Sequence, residues 1–272
     1  MASSIRARKV FGIDFTSRPT ARKPITCVEA QLQGKNLVFQ ALHEWTRFEQ
    51  FDEFLAAPGP WVAGCDFPFG QARRFIDNIG WPSSWTGYIE HVGGLSRPDF
   101  RRALDDYRRD RAPGDKEHRR ATDVRSGAVS SQKLYGVPVA LMFYEGAPRL
   151  LRSGVHVPPL VDGDSQRVAL EAYPGVLARR MIGRRPYKQD TREKQSVEHQ
   201  AARQEILSAL TDSGEDLGLV VVAPGSLADD PQGDHLDALL CAVQAAWSMR
   251  QPNWGIPGDV DTLEGWIVGP PP

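Results

Sequence analysis

An α/β fold with a mixed central sheet and flanking helices is what this sequence predicts, on three observations. The first third reads strand, strand, strand, helix, strand. The last third returns to alternating strands and helices, and carboxylates stand at the ends of buried apolar runs. The 272 residues are enough for one large domain or two small ones. With 41% hydrophobic and 25% charged residues they are globular rather than disordered. A formal net charge of −1 removes the simplest argument for nucleic-acid binding, a basic whole chain, so such a partner requires a local basic patch.

Residues 9–15 read as a strand ending in the polar turn Thr16-Ser17-Arg18-Pro19. Residues 25–32 and 36–45 are two further strands, with Gly34-Lys35 as the turn between them. Phe48, Phe51 and Leu55, spaced by three and four, mark a short amphipathic helix stopped by Pro58-Gly59-Pro60. Residues 61–65 form a continuously apolar fourth strand that runs into Asp66.

The middle of the chain changes character. Residues 97–125 carry ten Arg or Lys against seven Asp or Glu. Phe100, Ala103, Leu104 and Tyr107 share one helical face, flanked by Arg101, Arg102, Arg108 and Arg109. Those arginines belong either to a solvated helix over the core or to a helix facing a polyanionic substrate. Residues 119–133 are polar, contain Gly127, and read as a loop.

The last third holds a strand at 168–173, a helix at 193–210, a buried strand at 217–223 and a helix at 234–249. Together the elements predict a mostly five-stranded sheet. The strongest apolar run, 217–223, is far shorter than the roughly 20 residues of a membrane helix. The N-terminal residues run into the first strand without an apolar signal region. Cys27, Cys65 and Cys241 lie far apart, with no CxxC, so neither a disulfide framework nor a zinc site is expected. The expected setting is the reduced cytoplasm.

No Walker A, GxGxxG, HExxH or GxSxG motif occurs, which weighs against P-loop, Rossmann, zincin and α/β-hydrolase chemistry. What remains is carboxylates. Asp14 and Asp66 each leave the carboxyl end of an apolar strand, where ligands bind in open α/β sheets. Each taken alone is also consistent with a turn or cap aspartate. Asp234 and Asp237, three apart, project from one side of the last helix. Asp234 fits an N-cap, but Asp237 lies inside the helix beside its apolar face. Converging carboxylates repel one another and call for a hard divalent cation, Mg2+ or Mn2+.

Gly-Ile-Asp14-Phe-Thr-Ser, Cys-Asp66-Phe-Pro-Phe-Gly and Asp234-His-Leu-Asp237-Ala-Leu-Leu resemble the motifs of the ribonuclease H-like superfamily. The last is similar to the acidic helix of RuvC-type Holliday-junction resolvases. With Glu171-Ala-Tyr-Pro-Gly, Tyr187-Lys188 and Glu264-Gly-Trp-Ile, the pattern resembles an uncharacterised group of predicted nucleases, domain of unknown function 429. The resemblance covers nearly the whole chain, least clearly its middle third. It implies a single ribonuclease H-like domain over residues 1–272 with a helical insertion at 71–165; the local excess of basic residues places 71–135 of it above the acidic cleft, with Arg101, Arg102, Arg108 and Arg109 holding a polyanion. The resemblance further implies Asp14, Asp66, Asp234 and Asp237 as catalytic acids, with Asp14, Asp66 and Asp237 as metal ligands. RuvC-type enzymes commonly carry a glutamate where this chain has Asp66, whose shorter reach alters the metal spacing.

Glu171, Lys188 and His235 are accessory candidates. The acid faces the cleft or satisfies its turn, the lysine contacts a phosphate or is solvated, and the histidine orients water or is merely exposed. The leading expectation is a metal-dependent nuclease on DNA or RNA, without a membrane partner. Gly12-Ile-Asp14-Phe-Thr16-Ser17 also resembles the first phosphate turn of actin-like ATPases and sugar kinases, although no second such turn follows. A non-catalytic nucleic-acid-binding module is the third possibility.

Overall fold

The computed structural model describes residues 8–189, 191–212 and 217–271; residues 1–7, part of the stretch read for a targeting signal, lie outside them. Strands β1 (Arg8–Asp14), β2 (Ile25–Gln33) and β3 (Asn36–Trp45) form an antiparallel meander. Helix α1 (Phe48–Ala56) then crosses to β4 (Trp61–Asp66), which lies parallel to β1. After β4 come five helices: α2 (Arg73–Ile79), α3 (Trp85–Gly94), α4 (Arg97–Arg109), α5 (Ala121–Ser126) and α6 (Val139–Ser153). The chain returns through β5 (Val155–His156) and β6 (Asp164–Glu171), the latter parallel to β4. Helices α7 (Pro174–Ile182) and α8 (Val197–Asp212), strand β7 (Val220–Val222) and helix α9 (Asp234–Ser248) complete it.

The seven strands lie in the order β5-β6-β4-β1-β2-β3-β7, a mixed sheet flanked by helices and consistent with a ribonuclease H-like fold. Seven replace the mostly five expected: β7 is the short remnant, Val220–Val222, of the strand read at 217–223, and β5, with two residues, is too short to show alternation. Strand β6 begins four residues before the expected 168, through the polar stretch Asp164-Ser-Gln-Arg167. The segment 119–133, read as a loop, contains α5, at whose start the Asp123 carboxylate accepts from the Arg120 backbone amide at 2.9 Å and whose end is Gly127 at φ 65°.

One face of the sheet packs against α7, α8 and α9 through Val10, Val28, Val62, Leu170, Leu239 and Val243. The opposite face carries Phe11, Ile13, Phe51, Ala63, Cys65 and Leu150. Helices α2, α3, α4 and α6 enclose a third apolar cluster around Phe75, Trp85, Tyr88, Phe100 and Phe143. Burying each large side chain contributes about 1.5–3 kcal/mol. No helix among the described residues is long and apolar enough to cross a membrane.

Two strands at the centre carry the same pattern in register. Val10, Gly12 and Asp14 of β1 stand beside Val62, Gly64 and Asp66 of β4. Side chains alternate along a strand, so all six positions face the side covered by α9. A Cβ on Gly12 would collide with the Ala238 carbonyl oxygen and stand 2.8 Å from the Ala242 Cβ; one on Gly64 would collide with the Cys241 carbonyl. The two glycines therefore let α9 settle directly onto the strands. That descent brings Asp237, one position before Ala238, to the two strand-end aspartates.

Candidate metal centre

Asp14, Asp66 and Asp237 each place one carboxylate oxygen within 4.8 Å of the other two. They come from three elements distant in sequence, and Asp14 and Asp237 are buried. Burial pushes the Asp14 carboxyl well above its ordinary range, and the neighbouring Asp234, Asp237 and Asp66 add to the rise. Burial likewise pushes Asp66 up to about 7, with Asp237, Glu171 and Asp234 raising it and Lys188 opposing them. These are the marks of negative charge concentrated without enough compensation.

Partial compensation comes from the loop before α8. The Lys188 ammonium is ion-paired with the Asp237 carboxylate, and the Tyr187 hydroxyl donates to the other oxygen of Asp237 at 2.6 Å. Burial works against the charged lysine, but Asp237, Tyr187, Asp14 and Asp66 together hold its pKa well above the ordinary value. Burial and the Asp237 carboxylate raise the Tyr187 phenol as well. Tyr187 and Lys188 thus fix the rotamer of the helix-borne acid.

The donor set suits a hard divalent cation. It offers three carboxylates and no sulfur or imidazole ligand within the cluster. Thr26, the register partner of Asp14 on β2, adds a second observation. Its hydroxyl is buried on the same face and has no hydrogen-bond partner among the described residues. An orphaned buried oxygen beside Asp14 fits a ligand or ordered water completing the site.

Asp234 stands outside the triad. It is buried and accepts from the Lys23 ammonium at 2.7 Å. Gly233 holds the cap position, while the Asp230 carboxylate accepts from the Asp234 amide at 2.7 Å. Asp230 therefore supplies the side-chain cap considered for Asp234. His235 points to Glu44, its Nε2 3.2 Å from the carboxylate, and does not join the triad.

Glu171 pairs in register with Cys65, so its side chain leaves the sheet on the face opposite Asp66. There it meets fully buried Arg120 in a bidentate pair at 2.5 and 2.8 Å, and Arg120 also binds Asp123 at 2.7 Å. The Phe69 amide donates to Glu171 at 3.0 Å. This network braces the loop that follows Asp66. Its members, Arg120 and Asp123, escaped notice because nothing local in the sequence links position 120 to position 171.

The arginines of α4 are largely neutralised on their own helix. Arg102 pairs with Asp99, Arg108 with Asp105 and Glu117, and Arg109 with Asp106. None of these, nor Arg101, lines the cavity of about 290 Å³ that opens beside Asp66 and Lys188. Residues 120–142 supply one wall of that cavity, including Arg120, Asp123, Val129 and Lys133.

Fold and site together define an α/β protein with a buried acidic triad fit to hold a divalent cation. Residues 12–262 match the family described as Protein of unknown function (DUF429), and the chain belongs to that family. No curated protein and no solved structure matches it.

Proposed function

We propose that this protein is a divalent-metal-dependent phosphodiesterase, a nuclease that hydrolyses phosphodiester bonds in nucleic acid. The observation that carries the reading is the convergence of Asp14, Asp66 and Asp237 from two strand ends and a helix. Those residues would hold Mg2+ or Mn2+, which when bound supplies an activated water and stabilises the leaving oxygen.

The remaining roles belong to the chain itself. Asp14 and Asp66 are rigid because each ends a central strand flanked on both sides in the sheet. Lys188 and Tyr187 orient Asp237, and the lysine gives positive charge at the entrance for an incoming phosphate. Asp234, held by Lys23, strengthens the negative field around Asp14. Glu171 acts through position, holding the loop after Asp66. Three buried free cysteines suit a reducing, cytoplasmic setting.

An actin-like phosphotransferase and a non-catalytic binding module are the competing readings. The decisive panel offers single-stranded DNA, duplex DNA, RNA and branched junctions with Mg2+ or Mn2+. The expected result is cleavage of at least one substrate by the wild type and none by Asp14→Asn. Nucleotide hydrolysis or a nucleotide-induced thermal shift, without cleavage of any nucleic acid, would favour the phosphotransferase.

A further inference from the structure

A groove of about 570 Å³ lies beside the acidic site, and its charged lining is entirely arginine: Arg119, Arg179, Arg184 and Arg185. Tyr173 and Tyr187 complete its aromatic part. Its charge is poorly neutralised, in contrast to that of α4. Arg179 donates to the carbonyls of Gly175, Gly127 and Ser126, at 2.8, 3.2 and 2.5 Å. Arg119 donates to the Asp123 carbonyl at 2.6 Å. Among the described residues neither has a carboxylate partner, and Arg184 has no ion pair; only Arg185 does, with Glu205 at 2.5 Å.

The groove adjoins the cavity that opens beside Asp66 and Lys188. Tyr173 lines both, and the neighbours Arg119 and Arg120, Gly127 and Ala128, and Tyr187 and Lys188 fall one on each side. Positive potential therefore leads along the surface to the Lys188 ammonium, and from there to Asp66 and Asp237. Guanidinium groups whose hydrogen bonds go to carbonyls keep their full charge and further donors for phosphate oxygens. An acidic centre that must receive a polyanion needs such a track, because its own field repels phosphate.

We infer that this arginine groove holds the phosphate backbone of a single nucleic-acid strand and delivers the adjoining phosphate to the acidic triad. The inference rests on the phosphodiesterase reading and names its substrate as single-stranded. The groove's combination of a basic track with aromatic side chains is the chemistry by which single strands are bound. Arg119 and Arg184, both exposed, face the strand from α5's approach and from the loop after α7.

The test measures fluorescence anisotropy of a labelled poly-dT oligonucleotide in EDTA, so that binding is read without cleavage, over a series of salt concentrations. The double variant Arg119→Gln, Arg184→Gln is compared with wild type and with Arg102→Gln, Arg109→Gln on α4. Each phosphate contact contributes about 0.7 to the slope of log affinity against log salt for single strands, so the groove variant should lose roughly 1.4. Its melting temperature and its manganese-induced stabilisation should match wild type, and the α4 variant should bind as wild type does.

An unchanged slope in the groove variant, an equal loss in the α4 variant, tighter binding of duplex than of single strand, or no binding by wild type would each overturn the groove assignment. If manganese stabilisation and cleavage persist alongside any of these, the phosphodiesterase reading stands without the groove. Groove-dependent binding with neither metal stabilisation nor cleavage leaves the groove standing and removes the catalytic reading.

Discussion

Gly12 of β1 lies so close beneath Ala238 of α9 that no side chain fits between strand and helix. The aspartate two positions along the strand and the aspartate one position back along the helix meet because of that contact. Gly12→Ala should destabilise the protein by about 3 kcal/mol, since the obstruction is backbone and not a flexible side chain. It should also separate Asp14 from Asp237 and weaken metal stabilisation beyond the loss of fold stability. Chemical denaturation with and without manganese checks both effects.

The raised carboxyls predict an unusual pH dependence. An unfolded aspartate titrates near 3.9, roughly, whereas folded Asp66 titrates at about 7 and Asp14 is also raised. Between those values the native state binds more protons than the unfolded one, so this contribution to stability falls as pH rises. In chelator, wild type should therefore lose stability from about pH 4 to about pH 7, the window set by the cited values. Asp66→Asn should show a flatter profile. A wild-type profile as flat as the variant's would contradict the raised value.

Lys188 and a bound cation draw on the same carboxylate. Lys188→Met should lower the stability of the metal-free protein, because Asp237 then faces Asp14 and Asp66 without its ion pair. The same change should enlarge the thermal shift produced by manganese, since the cation no longer displaces an internal partner. Equal shifts in variant and wild type would show that the lysine does not compete for Asp237.

Arg120 predicts a purely structural penalty. Arg120→Met leaves Glu171 and Asp123 buried without their partner, and breaking a buried pair in this way costs about 3–5 kcal/mol. Urea denaturation measures that loss. The double replacement Arg120→Met, Glu171→Gln should recover part of it.

The central strands and the last helix were legible because continuous apolar runs and helical spacing announce them. The triad was legible for the same reason, since each acid adjoins a strongly patterned element. One further signal, the matching Val-x-Gly-x-Asp of 10–14 and 62–66, was present in the sequence and predicts that both glycines lie under a helix. The edge strand β5 was hidden by its shortness, whereas β7 falls within the apolar run 217–223. Composition alone could not show how the charge of α4 is balanced: Arg102, Arg108 and Arg109 each pair with an aspartate three positions before them on the same helix. The groove arginines come from separate segments, Arg119 before α5 and the others from α7 and the loop after it, and meet only in the folded chain.

The central claim is that Asp14, Asp66 and Asp237 form a divalent-metal site, and manganese titration by isothermal calorimetry tests it most directly. Wild type should bind saturably at neutral pH, and Asp14→Asn and Asp237→Asn should each lose most of that affinity while remaining folded. His235→Ala, which alters a residue directed at Glu44, should bind as wild type does. Absence of saturable binding by wild type, or binding by both aspartate variants as tight as that of wild type, would contradict the account.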